Sequence, residues 1–184
     1  DFPEIAAGSD ETHHVAEGYD VQVLLRWGDP VLPGAPPFDP HRQTAEAQAL
    51  QFGYNNDYVG FLPMPGSRPG RHGLLVVNHE YTNEELMFPG LGRQDTKEAA
   101  FKAMTRGLAA IEMAAHGGSV VEIVRDGDAW RVVAGSHYAR RITAHTPMEI
   151  TGPAAGSPRM RTSADPTGRR VSGMLNNCAG GLTP

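Results

Sequence analysis

Apolar positions along the chain mostly alternate or gather in short runs, and only one stretch repeats with the period of a helix. Tyr19–Trp27 (YDVQVLLRW) alternates and then turns fully apolar, which predicts a first strand. A Gly/Pro-rich loop, Gly28–Pro40, follows, and Gln43–Leu50 predicts one or two turns of helix with Thr44 as a cap. Residues 51–62 read as a strand interrupted at Asn55-Asn56-Asp57, and Gly73–Asn78 (GLLVVN) is a clear apolar strand. A short acidic turn is expected after Asn83. The one long helix is expected from about Thr96 to His116, capped by Asp95 or Thr96, with an apolar face of Phe101, Met104, Leu108, Ile111 and Met113. Gly117-Gly118 stops it.

Strands are predicted at Ser119–Arg125, Ala129–Gly135 and Tyr138–Thr143, the first two joined by the Asp126-Gly127-Asp128 turn of a hairpin. From Thr146 onward the chain reads as loop, with a short strand near Val171–Leu175. Gly152–Gly156 is a rigid loop, and Thr162-Ser163-Ala164-Asp165 reads as its brace rather than as a nucleophile site. Strands separated by turn signals favour an assembly that is mainly β with one sizeable helix, rather than a wound α/β sheet.

Composition sharpens this. Gly and Pro supply 22 and 15 of 184 residues, well above the usual combined share of roughly 12%, so turns outnumber long helices. Apolar residues at 40% and charged residues at 20% exclude a disordered chain. No apolar run approaches the roughly 18 residues that span a bilayer, and no signal segment opens the chain. The first residue is Asp1 rather than Met and the last is Pro184 after a glycine turn, so both ends read as cut. Residues 1–124 carry a net −9 and residues 125–184 a net +4, all of the latter's bases being Arg. The arginines form either a solvated surface or an anion site. A chain this acidic overall, at −5, without a basic-aromatic stripe, does not read as a nucleic-acid binder.

Three polar clusters fall at predicted strand ends. Asn55-Asn56-Asp57, framed by Tyr54 and Tyr58, is either an Asx-type turn or a source of the hard oxygen ligands that calcium takes. Asn78-His79-Glu80-Tyr81 ends the GLLVVN strand. His79 and Glu80 are neighbours and face opposite sides, so one of them points at any site, and Glu80 suits a metal ligand or general base. Asn176-Asn177-Cys178-Ala179-Gly180-Gly181 surrounds the single cysteine with amides and glycines rather than apolar residues, an unusual setting for a packing thiol. Cys178 has no internal disulfide partner and no C-x-x-C companion. It is an inert thiol, a nucleophile or a metal ligand. The adjacent His13-His14 pair reads as surface. Phosphate-loop, G-x-S-x-G and H-E-x-x-H patterns are missing from the sequence.

The segments LLRWGDP (24–30), FGYNNDYVGF (52–61), LLVVNHEYTNEELMFPG (74–90), AHGGSVVEI (115–123), RRITAHTPMEITGPAAG (140–156), TSADPTG (162–168) and NNCAGGLTP (176–184) occur in that order. Together they resemble the amino-terminal portion of the PhoX-type alkaline phosphatases. The resemblance implies that residues 1–184 are the amino-terminal part of one longer propeller-type domain, truncated at its carboxyl end. It implies a partial β-propeller, twin-arginine export to the periplasm, and hydrolysis of small phosphomonoesters at iron(III) and calcium by a monomeric protein. It places an iron ligand at Cys178 and a metal ligand at Glu80. Asn55, Asn56, Asp57 and Asn177 match family positions as ligands or as their supports. The remaining acidic ligands and a phosphate-binding arginine are implied beyond Pro184, so the 184 residues alone are expected to be inactive. A non-enzymatic propeller-type binding module and a different metal-assisted esterase are the alternatives.

Overall fold

The computed structural model describes residues 2–183. Asp1 and Pro184, the latter closing the NNCAGGLTP segment, lie outside the described residues. The elements in chain order are α1 (Ala45–Gln48), β1 (Asn56–Pro63), β2 (His72–His79), α2 (Glu84–Met87), α3 (Arg106–Ala115), β3 (Gly117–Asp126), β4 (Ala129–Val132), β5 (Arg140–Ile142), β6 (Pro147–Glu149), a 3₁₀ turn (Pro158–Met160) and β7 (Arg170–Ser172). No described helix is long and apolar enough to cross a membrane.

An open antiparallel sheet of order β1-β2-β3-β4 forms the centre, with β5 paired to the start of β3 and a separate β6–β7 pair beyond it. The chain is therefore mostly β with few helices, and the sheet does not close on itself among the described residues. The GLLVVN run makes β2 because its β-branched and leucine side chains fill both faces of a strand flanked on each side. The expected hairpin joins β3 to β4, with Asp126 opposite Ala129 and Gly127 in the left-handed region. Val31, Phe52, Val77, Val121 and Ile123 form the core under the sheet. Met87, Phe88, Ile111 and Ala115 form a second one where α3 packs on α1 and Trp27. Thr44 caps α1 as expected, its hydroxyl accepting from Ala47 N–H at 3.1 Å.

Three expectations are corrected. Tyr19–Trp27 is not a strand: it runs without a strand partner among the described residues, leaving Tyr19, Val21 and Val23 exposed. Its one sheet-like tie is the Gln22 side chain, whose amide donates to Trp130 O and whose oxygen accepts Trp130 N–H. The long helix is shorter than its periodicity predicts. Thr96 caps only a single turn, because Ala100 and Phe101 adopt φ of 47° and 56° and reverse the chain. Phe101 is consequently exposed. The helix restarts at Arg106 under a Thr105 cap, which puts Gly107 in the first turn, where glycine costs little. Finally, Pro147–Glu149 pairs with β7 although it lacks any strand signal in the sequence.

Helix α3 stops at His116 because Gly117 has φ 99°, and a Cβ there would lie 2.0 Å from Ile142 O. The same glycine opens β3 opposite His79. Beneath this corner Arg141 is buried, and its guanidinium donates to Ala114 O and Gly118 O at 2.7 Å each, and to Ile142 O and His116 O at 3.2 and 3.3 Å. A cation at the last carbonyls of a helix also meets the negative end of its dipole. Arg141 thus joins α3, β3 and β5 at one point.

Candidate metal centre

The start of β1, the end of β2 and the start of β3 meet at one end of the sheet: Asn56 lies opposite His79, and His79 opposite Gly117. An irregularity in register between Asn56 and Val59 bends β1 there. Asn55, at φ 47°, turns the chain into the strand, and its carbonyl accepts Glu80 N–H at 3.1 Å. Asparagine tolerates that left-handed backbone better than most residues. Asp57 and Glu80 are thereby brought side by side.

The segment carrying Cys178 crosses over this end. Ligand atoms of Asp57, Glu80 and Cys178 all lie within 4.8 Å of one another. Asp57 and Cys178 are exposed and Glu80 is half-buried. The Glu80 carboxyl is pushed above its ordinary range, chiefly by its hydrogen bond to Asp57, then by desolvation and by the Asp57 charge. Two carboxylates this close repel unless they share a proton or a cation. Two hard oxygens and one thiolate-capable sulfur around one point form a donor set that fits a highly charged transition-metal ion. A buried amide oxygen, Asn177 Oδ1, without any hydrogen-bond partner lies next to Cys178 in sequence.

His79 and Glu80 do face opposite ways. His79 is fully buried: its Nε2 accepts Gly53 N–H at 3.3 Å and sits 2.7 Å from Ser119 Oγ, and its ring packs edge-on to Phe52. Burial, and then the Arg141 charge, depress its pKa to about 3. It is a neutral strut beneath the end of β2, not a ligand. Asn55 contributes its carbonyl, and Asn56 is exposed at its register position. Asn177 donates from Nδ2 to Gly117 O at 2.7 Å. Gly180 does not use a left-handed backbone. Its lack of a side chain admits the Tyr58 ring instead, which a Cβ would meet at 2.5 Å.

The arginines of the second half do not gather here. Arg125 and Arg131 pair with Asp128 and Asp126 along the hairpin at 3.4 and 3.7 Å, and Arg141 is structural. Thr162 and Asp165 brace their own turn rather than the Gly152–Gly156 loop expected of them: among the described residues their side chains bond only within 162–170, and Ser163 is exposed. The Asp165 carboxylate is held down to about 2, first by the Thr167 hydroxyl and then by the Arg170 N–H. The tie by which Asn78, named in its cluster, holds the Cys178 segment to β2, and the buried role of Arg141, escape a linear reading, because each partner lies far away in the chain.

An antiparallel sheet whose open end gathers two carboxylates and a thiol defines a β-scaffold with a metal-type site. The whole chain, residues 1–184, matches the family model described as alkaline phosphatase PhoX, and the chain belongs to that family. Among solved structures it is similar to Pseudomonas fluorescens PhoX in complex with vanadate, a transition state analogue, with 38% sequence identity and a TM-score of 0.84. That similarity covers 99% of this chain and 30% of the other, so the chain spans less than a third of that relative's length. No curated protein sequence matches the chain.

Proposed function

We propose that this chain is the amino-terminal part of a longer, propeller-type, metal-dependent phosphomonoesterase. In that protein Asp57, Glu80 and Cys178 help to hold iron(III), with calcium as a second ion in the same centre. The observation that carries the reading is the convergence of those three side chains, with Cys178 brought from about a hundred residues further along the chain onto the β1 and β2 carboxylates. Family membership over residues 1–184 supports it, as does the likeness to a PhoX structure in complex with vanadate, a transition state analogue.

Such ions, when bound, neutralise phosphate charge and polarise its oxygens. This chain's part is to present the ligands in a fixed geometry. β1 and β2 place the carboxylates by strand register, and the Glu80 N–H bond to Asn55 O fixes their separation. A cation held between the Asp57 and Glu80 carboxyls would offset their mutual repulsion. Phosphoryl transfer demands positioning and charge stabilisation above all, which a metal cluster supplies without a serine nucleophile.

The substrates in this reading are small phosphomonoesters, the protein is an exported periplasmic monomer, and the 184 residues alone do not turn over. The test is inorganic phosphate release from an aryl phosphate by the longer protein before and after chelation. Metal-dependent release supports the reading. Release of the alcohol from a carboxylic ester but not from the phosphate would point to the other esterase class. Ligand binding without turnover would point to a binding module.

A further inference from the structure

We propose that Asn78 and Asn177 are positioning residues for the Cys178 sulfur, which the protein holds at the metal centre through side-chain amides rather than through secondary structure. This rests on the metal-centre reading above. The segment that carries Cys178 has no regular structure. Its last main-chain anchors are Gly173 N–H to Thr146 O at 2.8 Å and Met174 N–H to Thr143 O at 3.3 Å. Among the described residues, no main-chain to main-chain hydrogen bond involves residues 175–183. A free thiol on such a stretch has no reason to stay within 4.8 Å of two carboxylates unless something else fixes it.

The residues on either side of Cys178 supply the fixing. Asn177 Nδ2 donates to the carbonyl of Gly117, the first residue of β3, at 2.7 Å. Asn78 Nδ2, from the penultimate residue of β2, donates to the carbonyl of Ala179 at 3.1 Å. Gly117 and His79 are register partners, so both anchors rest on the strand ends that also place Glu80. Cys178 is bracketed at its two neighbours. A third amide, Asn176 Nδ2, reaches Glu80 O at 3.5 Å, the weakest of the set. From β1, the Tyr58 ring closes over Gly180. Asn177 keeps its Oδ1 buried and unpartnered, an arrangement that costs stability. What the residue contributes to the fold of the segment is therefore its N–H. Supports of metal ligands commonly shift metal affinity by about 10–100-fold when removed.

The experiment uses the longer protein, read by iron per chain, by the visible thiolate-to-iron absorption, and by the rate at which iodoacetamide alkylates Cys178. For Asn177→Ala and Asn78→Ala the expectation is a loss of most of the iron and of the visible band, with alkylation at least about tenfold faster, while the unfolding midpoint stays close to that of the parent. Asn177→Asp keeps the shape and adds a negative charge that by electrostatics alone favours a cation. Loss of iron in that variant therefore reads the missing N–H, and unchanged or increased iron overturns the proposal. Asn176→Gly, which accepts the left-handed backbone at φ 53° and removes the side-chain bond, should lie within about twofold of the parent, as that long bond implies. If either alanine variant fails to fold, serine at the same position is read in the same assays. Variants that keep iron, band and a protected thiol overturn the positioning role and leave the metal centre standing. A parent with no iron and a freely reactive Cys178 overturns the metal centre itself.

Discussion

Arg141→Met tests whether the corner beneath the candidate metal centre is held by the Arg141 guanidinium. The guanidinium is buried without a carboxylate, and burial alone lowers its pKa to about 10, so it stays charged at neutral pH. Its compensation is the set of carbonyls at the end of α3 and the starts of β3 and β5. A hydrogen bond from a charged donor contributes about 1.5–3 kcal/mol net. Counting only the two bonds at 2.7 Å, and at the low end of that range, gives about 3 kcal/mol. Methionine restores the packing of the stem and removes the cost of burying a cation. It also leaves Ala114 O and Gly118 O without this donor in a dry site, a penalty of similar size to what is recovered. We expect a net loss of about 3 kcal/mol, read as a shift in the urea midpoint with an unchanged slope. Arg141→Lys should lie between, since one ammonium cannot span both carbonyls. The same charge contributes to depressing His79, so the methionine variant should raise the His79 pKa, visible by NMR titration. A loss below about 1 kcal/mol for Arg141→Met, with His79 unmoved, would refute the reasoning.

Two further outcomes follow from the same corner. His79 has a folded pKa near 3 against about 6.5 when unfolded, so the folded state prefers the neutral ring; stability is unaffected above pH 6.5 and falls below it by about 1.4 kcal/mol per pH unit down to about pH 3. Urea midpoints at pH 7.5 and pH 5 should show that loss in the parent and a much smaller one in His79→Phe; equal pH slopes would contradict it. Gly53→Ala places a Cβ 2.4 Å from both Ala115 O and the His79 ring, an overpacking that should cost about 1–3 kcal/mol or more, and a thermal midpoint within a degree of the parent would count against the packing described.

Local signals account well for what is local. The apolar run at Leu74–Val77, the Asp-Gly-Asp turn and the Thr44 cap each specify their element through nearest neighbours. Tyr19–Trp27 has the alternation of a strand, but alternation cannot create a partner, and the described residues provide none. The helix periodicity through Phe101 is overridden by two consecutive left-handed residues, which no composition signal announces. The three polar clusters are visible in the sequence as excess asparagine and carboxylate at strand ends. Their meeting is not, because Asp57, Glu80 and Cys178 are joined only by sheet register and by amide ties such as Asn177 to Gly117, 60 residues apart. Family resemblance bridges that gap for Cys178 and Glu80, while the ties of Asn78 and Arg141 required the fold.

The most direct test of the metal centre is elemental analysis of the longer protein with and without Cys178→Ala. The thiol is the only cysteine among the residues of this chain, and a bound metal deprotonates a coordinating thiol outright. Iron per chain should therefore fall sharply in Cys178→Ala, with turnover lost and the fold retained. Cys178→Ser should restore little, because an alcohol is far harder to deprotonate. Unchanged iron stoichiometry and unchanged turnover in Cys178→Ala would contradict the assignment of the centre.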